Sequence, residues 1–323
     1  MPSIGEKSSS AGQLPRRKDL FLFSHIRTAS NLLYRLLSNQ PGWTQSKNHF
    51  TDAFLYAKEC FNWGAISSIS DEERRHFEHL LQQGYDGLKQ MREAAVRENK
   101  SVFYKCPVIF LWEPSSLYKG KDDLSSATPF TLNSLSTNPT ILPDDFLTSW
   151  QPLLLIRHPA IVFESWYRAE CRTVGEVGVN DPSWSLFTSF QYSRQLYDWF
   201  ESKEPTGLPE DGSSKPLVID SDDIIESTSL DKLCELCGMD PTFLLYEWEA
   251  TEPPSDASPR WLGFMTGLAS STSIDRSKSS RGIDITARHS QWKDEFGVLV
   301  ADALFERVNE AMEDYNYLKS RKI

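Results

Sequence analysis

Apolar residues in this chain gather in two kinds of run. The short kind is continuous: Asp19-Leu-Phe-Leu-Phe-Ser24, Ser101 to Tyr104, Pro152-Leu-Leu-Leu-Ile-Arg157 and Leu217-Val-Ile219. Each is too short for a helix and apolar at both parities, which predicts strands buried on both faces. A further strand piece is expected through Val108 to Trp112. The long kind repeats at helical spacing. Asn31-Leu-Leu-Tyr-Arg-Leu-Leu37 predicts a helix that Pro41-Gly42 stops. Ser70 and Glu73 form a capping box for a helix reaching about Asn99, with Phe77, Leu80, Leu81, Leu88, Met91 and Ala95 on one stripe. Pro159 suits the first position of a helix behind Arg157. Another is expected from Trp184 to about Glu201, a short one ending at Gly238, and a last one carrying Val298, Ala301, Phe305, Val308, Met312 and Tyr315. Strands alternating with helices predict an α/β three-layer sandwich, a central parallel sheet with helices on both faces.

The polar stretches 113–138 and 252–281 read as loop insertions in a single domain spanning 19–323, behind a flexible tail over 1–18. That tail lacks the apolar centre of a secretory signal, and a cytoplasmic protein is expected. Charge then narrows the function. With 34 Lys and Arg against 45 Asp and Glu, the net charge of −11 speaks against a nucleic-acid partner, which would meet a basic face. No apolar run approaches the ~20 residues of a membrane span. The five cysteines are scattered; Cys234 and Cys237 have C-x-x-C spacing, but no second pair or nearby His completes a zinc site. No metal is expected, and the two thiols are assigned to the buried side of a short helix.

Ligands of parallel sheets sit beyond the carboxyl ends of the strands, and two strand-to-helix junctions carry suitable chemistry there. In the first, Arg27 stands among Thr28, Ala29, Ser30 and Asn31, small residues that let an anion approach the backbone N–H groups of a helix start. In the second, Arg157 leaves a buried strand and Ser165 follows eight positions later on the next helix. A charge at that place needs a partner or a solvated cleft. The nucleotide-triphosphate signature G-x-x-x-x-G-K-[ST] is absent.

Taken together, the junctions resemble the sulfotransferase superfamily, in particular fungal sulfotransferase-like P-loop proteins. Ile26-Arg27-Thr28-Ala29-Ser30-Asn31 resembles the P-[RK]-[ST]-G-[ST]-[ST] loop that holds the 5′-phosphosulfate of 3′-phosphoadenosine-5′-phosphosulfate (PAPS). Arg157, Pro159 and Ser165 resemble the R-x-P…S motif that holds the 3′-phosphate. Weaker likeness covers nearly the whole chain and implies a further contact at Arg281-Gly282 in a closing C-terminal loop. The resemblance implies PAPS, or its product 3′,5′-adenosine bisphosphate, as ligand and a small organic molecule as acceptor.

The chain departs from the pattern at Ile26 for Pro, Ala29 for Gly and Asn31 for the closing hydroxyl. Where related fungal sequences carry K-E-H after a strand, this one has Lys105-Cys106-Pro107. Lys105 is expected to assist at the sulfuryl oxygens, and the base must come from elsewhere. His25, at the loop mouth beside Arg27, is the first candidate, and His49 the second; Glu113 is a further option. Three readings remain open at this point. They are sulfuryl transfer from PAPS to a hydroxyl or amine, a cleft repurposed for cofactor-independent cyclisation or elimination, and a non-catalytic anion or nucleotide binder.

Overall fold

The computed structural model describes residues 18–118, 130, 132, 136–203 and 215–323. The tail over 1–17, most of the 113–138 insertion and the polar stretch 204–214 lie outside them. Five strands, β1 (Leu20–Ser24), β2 (Trp43–Lys47), β3 (Ser101–Pro107), β4 (Gln151–Ile156) and β5 (Leu217–Asp220), form one sheet in the order β2-β3-β1-β4-β5. Every pairing is parallel. All carboxyl ends therefore share one edge. β1 lies at the centre, Ser24 opposite Pro107 on one side and Leu155 on the other.

The strands alternate between two cores. Phe21, Phe23, Val102, Tyr104, Leu154 and Ile156 join one cluster, and Leu20, Leu22, Phe103, Leu153, Leu155 and Ile219 the other. Helices cover both faces, as the apolar parity of the strands requires. In the first half of the chain these are α1 (Ser30–Leu36), α2 (Thr51–Phe61), α3 (Asp71–Arg97), α4 (Pro114–Leu117) and α5 (Asp144–Thr148). The second half adds α6 (Pro159–Val174), α7 (Pro182–Phe187), α8 (Gln191–Ser202), α9 (Ser221–Ile225), α10 (Leu230–Cys237), α11 (Pro259–Ala269), α12 (Ile285–Phe296) and α13 (Val298–Lys319). α1 and α10 pack on the second core; α3, α6, α8 and α13 pack on the first. Cys234 and Cys237 are free thiols on the buried side of α10, whose end at Gly238 takes the left-handed φ of 66°. None of the described helices is long and apolar enough to cross a membrane.

Several elements differ from the sequence expectation. β2 has no counterpart in it, because an edge strand reading Trp-Thr-Gln-Ser-Lys buries only its first residue fully. Val108–Phe110 is a 3-10 turn, not a strand. The helix expected over 184–201 is two, interrupted where Thr188 turns its hydroxyl back to Trp184 O and Ser189 Oγ caps Gln191 N. On α13, Val298 is 61% exposed, and the inward stripe instead includes Leu304, Ala311 and Leu318.

The largest correction concerns 252–281, expected as loop. It contains α11, capped by Ser258 Oγ on Trp261 N with Pro259 in the first turn. Its glycines had argued against a helix, yet Gly263 is what lets α11 lie directly on α6. A Cβ there would stand 2.6 Å from Thr173 Oγ1 and 2.8 Å from Ala169 O. Gly263→Ala should therefore lower stability by about 1–3 kcal/mol in chemical denaturation. A gain of about 1 kcal/mol, the helix-propensity effect alone, would contradict this close contact.

Candidate functional site

The chain leaves β1 toward the β2–β3 side and leaves β4 toward β5, so the topological switch falls between β1 and β4. Both arginine-bearing junctions stand at that crevice. A cleft of about 330 Å³ opens there, lined among others by Arg27, Ala29, Ser30, Asn31, Arg157, Glu164, Ser165, Phe264 and Lys278.

The first junction is built by backbone conformation. Arg27 and Ala29 both have φ of 65°, in the left-handed region, and Ala29 caps α1 with no side-chain acceptor on the first turn. The N–H groups of Ser30 and Asn31 belong to that turn and have no intrahelical acceptor. Left-handed backbone suits glycine, which explains why the resembled loop has Gly at this place; alanine holds it at a cost of about 1–2 kcal/mol. The second junction is fixed by α6. His158 Nδ1 caps Ala160 N, Pro159 occupies the first turn, and Ile161, Glu164, Ser165 and Arg168 fall on the helix face that meets the cleft.

The two junctions touch. Arg157 Nη1 donates to Arg27 O (3.2 Å), and Arg27 Nε donates to Ser165 Oγ (2.9 Å). Two further donors meet carbonyls of the 259–280 segment: Arg27 Nη1 to Phe264 O (2.8 Å) and Arg157 Nη2 to Lys278 O (2.7 Å). Arg157 Nε is buried with no acceptor. Among the described residues neither guanidinium has a carboxylate within ion-pair distance. The nearby acids are engaged elsewhere: Glu164 by Arg288 and Trp292, Asp222 by Ser280, Asp220 by Tyr315. Burial and the proximity of Arg157 and Arg172 push the Arg27 guanidinium down to about 10; burial lowers Arg157 as well, partly offset by the charges of Asp222, Asp220 and Glu164. Two neighbouring cations, Arg157 buried and Arg27 half-buried, each hydrogen-bonded to neutral oxygens, make an arrangement that can receive an anion.

No family model matches the chain. It is 34% identical to a protein named sulfotransferase ppzF from Metarhizium rileyi, over 94% of this chain and 95% of that one. The protein of the same name from Metarhizium majus is also 34% identical, over 94% and 96% respectively. The chain belongs to the sulfotransferase family. Among solved structures, the sulfotransferase domain of the curacin biosynthetic pathway has a TM-score of 0.39 at 13% identity, covering 86% of this chain and 97% of that one. The corresponding domain of the Synechococcus PCC 7002 olefin synthase scores 0.38 at 13% identity, covering 88% and 97%.

In this sulfotransferase the expected site residues divide into groups. Arg27, Ala29, Ser30, Asn31, Arg157 and Ser165 come together in the cleft. Thr28 is fully buried beneath it, its hydroxyl on His25 O. Lys105 stands behind Asn31, its amine 2.5 Å from Asn31 Oδ1 and only 4% exposed. Burial and the charge of Lys47 push that amine down to about 8. Arg281 and Gly282 line a separate depression, Arg281 ion-paired with Glu226. Its neighbours Lys278 and Ser280 are the ones that hold the segment against Arg157 and Asp222. Glu113 caps α4 through Ser115 N.

Neither expected base reaches the cleft lining. His25 continues the period-2 alternation of Phe21 and Phe23, so its ring enters the same apolar layer, stacked on Phe190 at 5.2 Å. Its Nδ1–H donates to Ile26 O, its Nε2 is buried without a partner, and burial pushes the imidazole down to about 4. The parity of β1 was the signal for this. His49 lies beyond β2, bonded to Ser46 Oγ (2.8 Å) and facing Gly87 of α3. The cleft-lining side chains not anticipated from sequence, Phe264, Leu268 and Ile225, sit on α11 and α9.

The neutral burial of His25 has a consequence in acid. Its folded pKa near 4 lies below the ordinary 6.5, so the unfolded chain takes up the proton first as pH falls. Stability is lost from pH 6.5 down through 4. His25→Phe should remove roughly 2–3 kcal/mol of that acid loss. Denaturation curves at pH 7 and 4 measure it, and an unchanged difference would contradict the buried neutral ring.

Proposed function

We propose that this enzyme transfers a sulfuryl group from PAPS to a hydroxyl or amine of a small organic acceptor. The observation that carries the reading is the contact of the two junctions, Arg157 Nη1 on Arg27 O, with both guanidinium groups lacking a carboxylate partner. PAPS offers an activated sulfuryl group on its 5′-phosphate and a second phosphate at the 3′ position. In that assignment Arg157 and Ser165 hold the 3′-phosphate. The Ser165 hydroxyl accepts from Arg27 and keeps its own O–H to donate. The orphaned Arg157 Nε supports this, since a buried cationic donor without an acceptor is costly unless an anion meets it. Arg27 and the N–H groups of Ser30 and Asn31 hold the 5′ end and stabilise the charge that grows on the leaving phosphate oxygen. As the sulfur–oxygen bond to that phosphate breaks, a new bond forms to the acceptor oxygen or nitrogen, which gives up its proton.

Lys105 acts through Asn31 as a positioning residue. Its charge lies behind the α1 start and its hydrogen bond orients the Asn31 amide. Since its amine titrates near 8, the charged form and with it kcat should fall as pH rises through 8. Lys105→Ala should remove that descending limb and lower kcat by about 10–100-fold, whereas Lys105→Arg should retain activity past pH 8. A kcat that rises through pH 8 would contradict the role.

The donor assignment is tested by calorimetric titration with 3′,5′-adenosine bisphosphate. Arg27→Ala and Arg157→Ala should each weaken binding by about 10²-fold. Wild-type protein that fails to bind at millimolar ligand would favour the repurposed cleft. Transfer of labelled sulfate from PAPS then separates an enzyme from a binder.

A further inference from the structure

Beside the cleft lies a second cavity of about 370 Å³ that shares the Asn31 side of α1 with it. Its long wall is a stripe of α1, Asn31, Tyr34 and Arg35, at the i, i+3, i+4 spacing of one helix face, continued by Ser38 in the turn after the helix. β2 contributes Lys47, and the segment before α11 contributes Trp248. The other side of α1 is filled by Leu33, Leu36 and Leu37, and the Tyr34 and Trp248 rings rest half-buried against the same core, which fixes them as walls of this cavity.

Two cations face this space, each carried on an aromatic ring. The Arg35 guanidinium lies 5.3 Å from the centre of the Trp248 ring, and the Lys47 amine 5.2 Å from that of Tyr34. Among the described residues neither forms an ion pair. Glu249, the carboxylate on the same wall, is exposed and bonds to neither. The cations feel each other and Lys105: Arg35 helps hold the Lys47 amine below its usual value, and Lys47 does the same to Lys105. A chain with a net charge of −11 thus places two positive side chains on the wall of one aromatic-walled cavity, with Lys105 buried behind Asn31 nearby. Flat apolar walls with converging cations match a small planar molecule bearing a carboxylate.

We propose that this cavity is the acceptor subsite and that it selects an aromatic carboxylate, its hydroxyl or amine directed to the Asn31 end and its carboxylate to Arg35 and Lys47. The proposal rests on reading the adjoining cleft as the donor site.

The test uses two phenols that differ in the carboxylate, 4-hydroxyphenylacetate and 4-methylphenol. Each is titrated calorimetrically into wild-type, Lys47→Gln and Arg35→Gln protein in the presence of 3′,5′-adenosine bisphosphate. The acid should bind wild type at least about tenfold more tightly than the neutral phenol, and the advantage should shrink to about threefold or less in each variant. Affinity for 3′,5′-adenosine bisphosphate should stay within about twofold in both variants, because neither side chain touches Arg27 or Arg157. Equal binding of the two phenols, no binding of either at about 10 mM, or a preference that survives both substitutions would overturn the proposal. So would a parallel loss of bisphosphate affinity, which would move Arg35 and Lys47 to the donor site. Wild-type protein that holds the acid but not the bisphosphate would sink the donor assignment while leaving the anion preference of this cavity standing.

Discussion

Two arginines joined through the backbone, Arg157 Nη1 on Arg27 O, with no carboxylate at ion-pair distance from either among the described residues, are the constraint around which the site is arranged. Like charges in a poorly solvated place repel and lose hydration, and hydrogen bonds to neutral carbonyls recover only part of that loss. The fold tolerates the arrangement because the sheet makes it rigid. Arg27 follows the central strand and Arg157 its neighbour, and the parallel register brings both to one edge. α6 then supplies Ser165, and the segment through α11 to Ser280 supplies the carbonyls that hold the remaining donors.

The same economy of placement links the two cavities. α1 is short, yet its N-terminal turn faces the cleft while Asn31, Tyr34 and Arg35 face the aromatic cavity. Asn31 belongs to both, bonded to Lys105 on one side and to Met265 Sδ of α11 on the other. A group bound in either cavity therefore meets the same amide, which suits a reaction in which donor and acceptor must be brought together.

Much of this was legible in the sequence wherever one physical rule dominated. The apolar parity of the strands predicted a parallel sheet, Ser70 and Glu73 the start of α3, and Pro159 the start of α6, so that Arg157 fell at a strand end and Ser165 on the following helix. Legibility failed where two rules competed. Gly263 and Gly267 made α11 look like loop because composition was weighed above the close helix contact that glycine permits. β2 was hidden because an edge strand needs few apolar residues. His25 stands two residues from Arg27 at the cleft, yet the alternation of Phe21 and Phe23 carries its ring into the core. The aromatic cavity depends on α1 and β2 approaching each other and on Trp248 from far along the chain, which no local pattern encodes.

The central claim is that Arg157, which has no carboxylate at ion-pair distance among the described residues, is placed to meet a bound anion. Equilibrium unfolding of wild type and Arg157→Met, with and without 3′,5′-adenosine bisphosphate, tests it most directly. Without ligand the two should agree within about 1 kcal/mol, because the substitution removes a buried charge that has no ion-pair partner. With ligand the wild type should gain clearly more stability than the variant. A variant that loses about 3–5 kcal/mol in the ligand-free state, as breaking a buried ion pair does, or that is stabilised by the bisphosphate as much as wild type, would contradict the account.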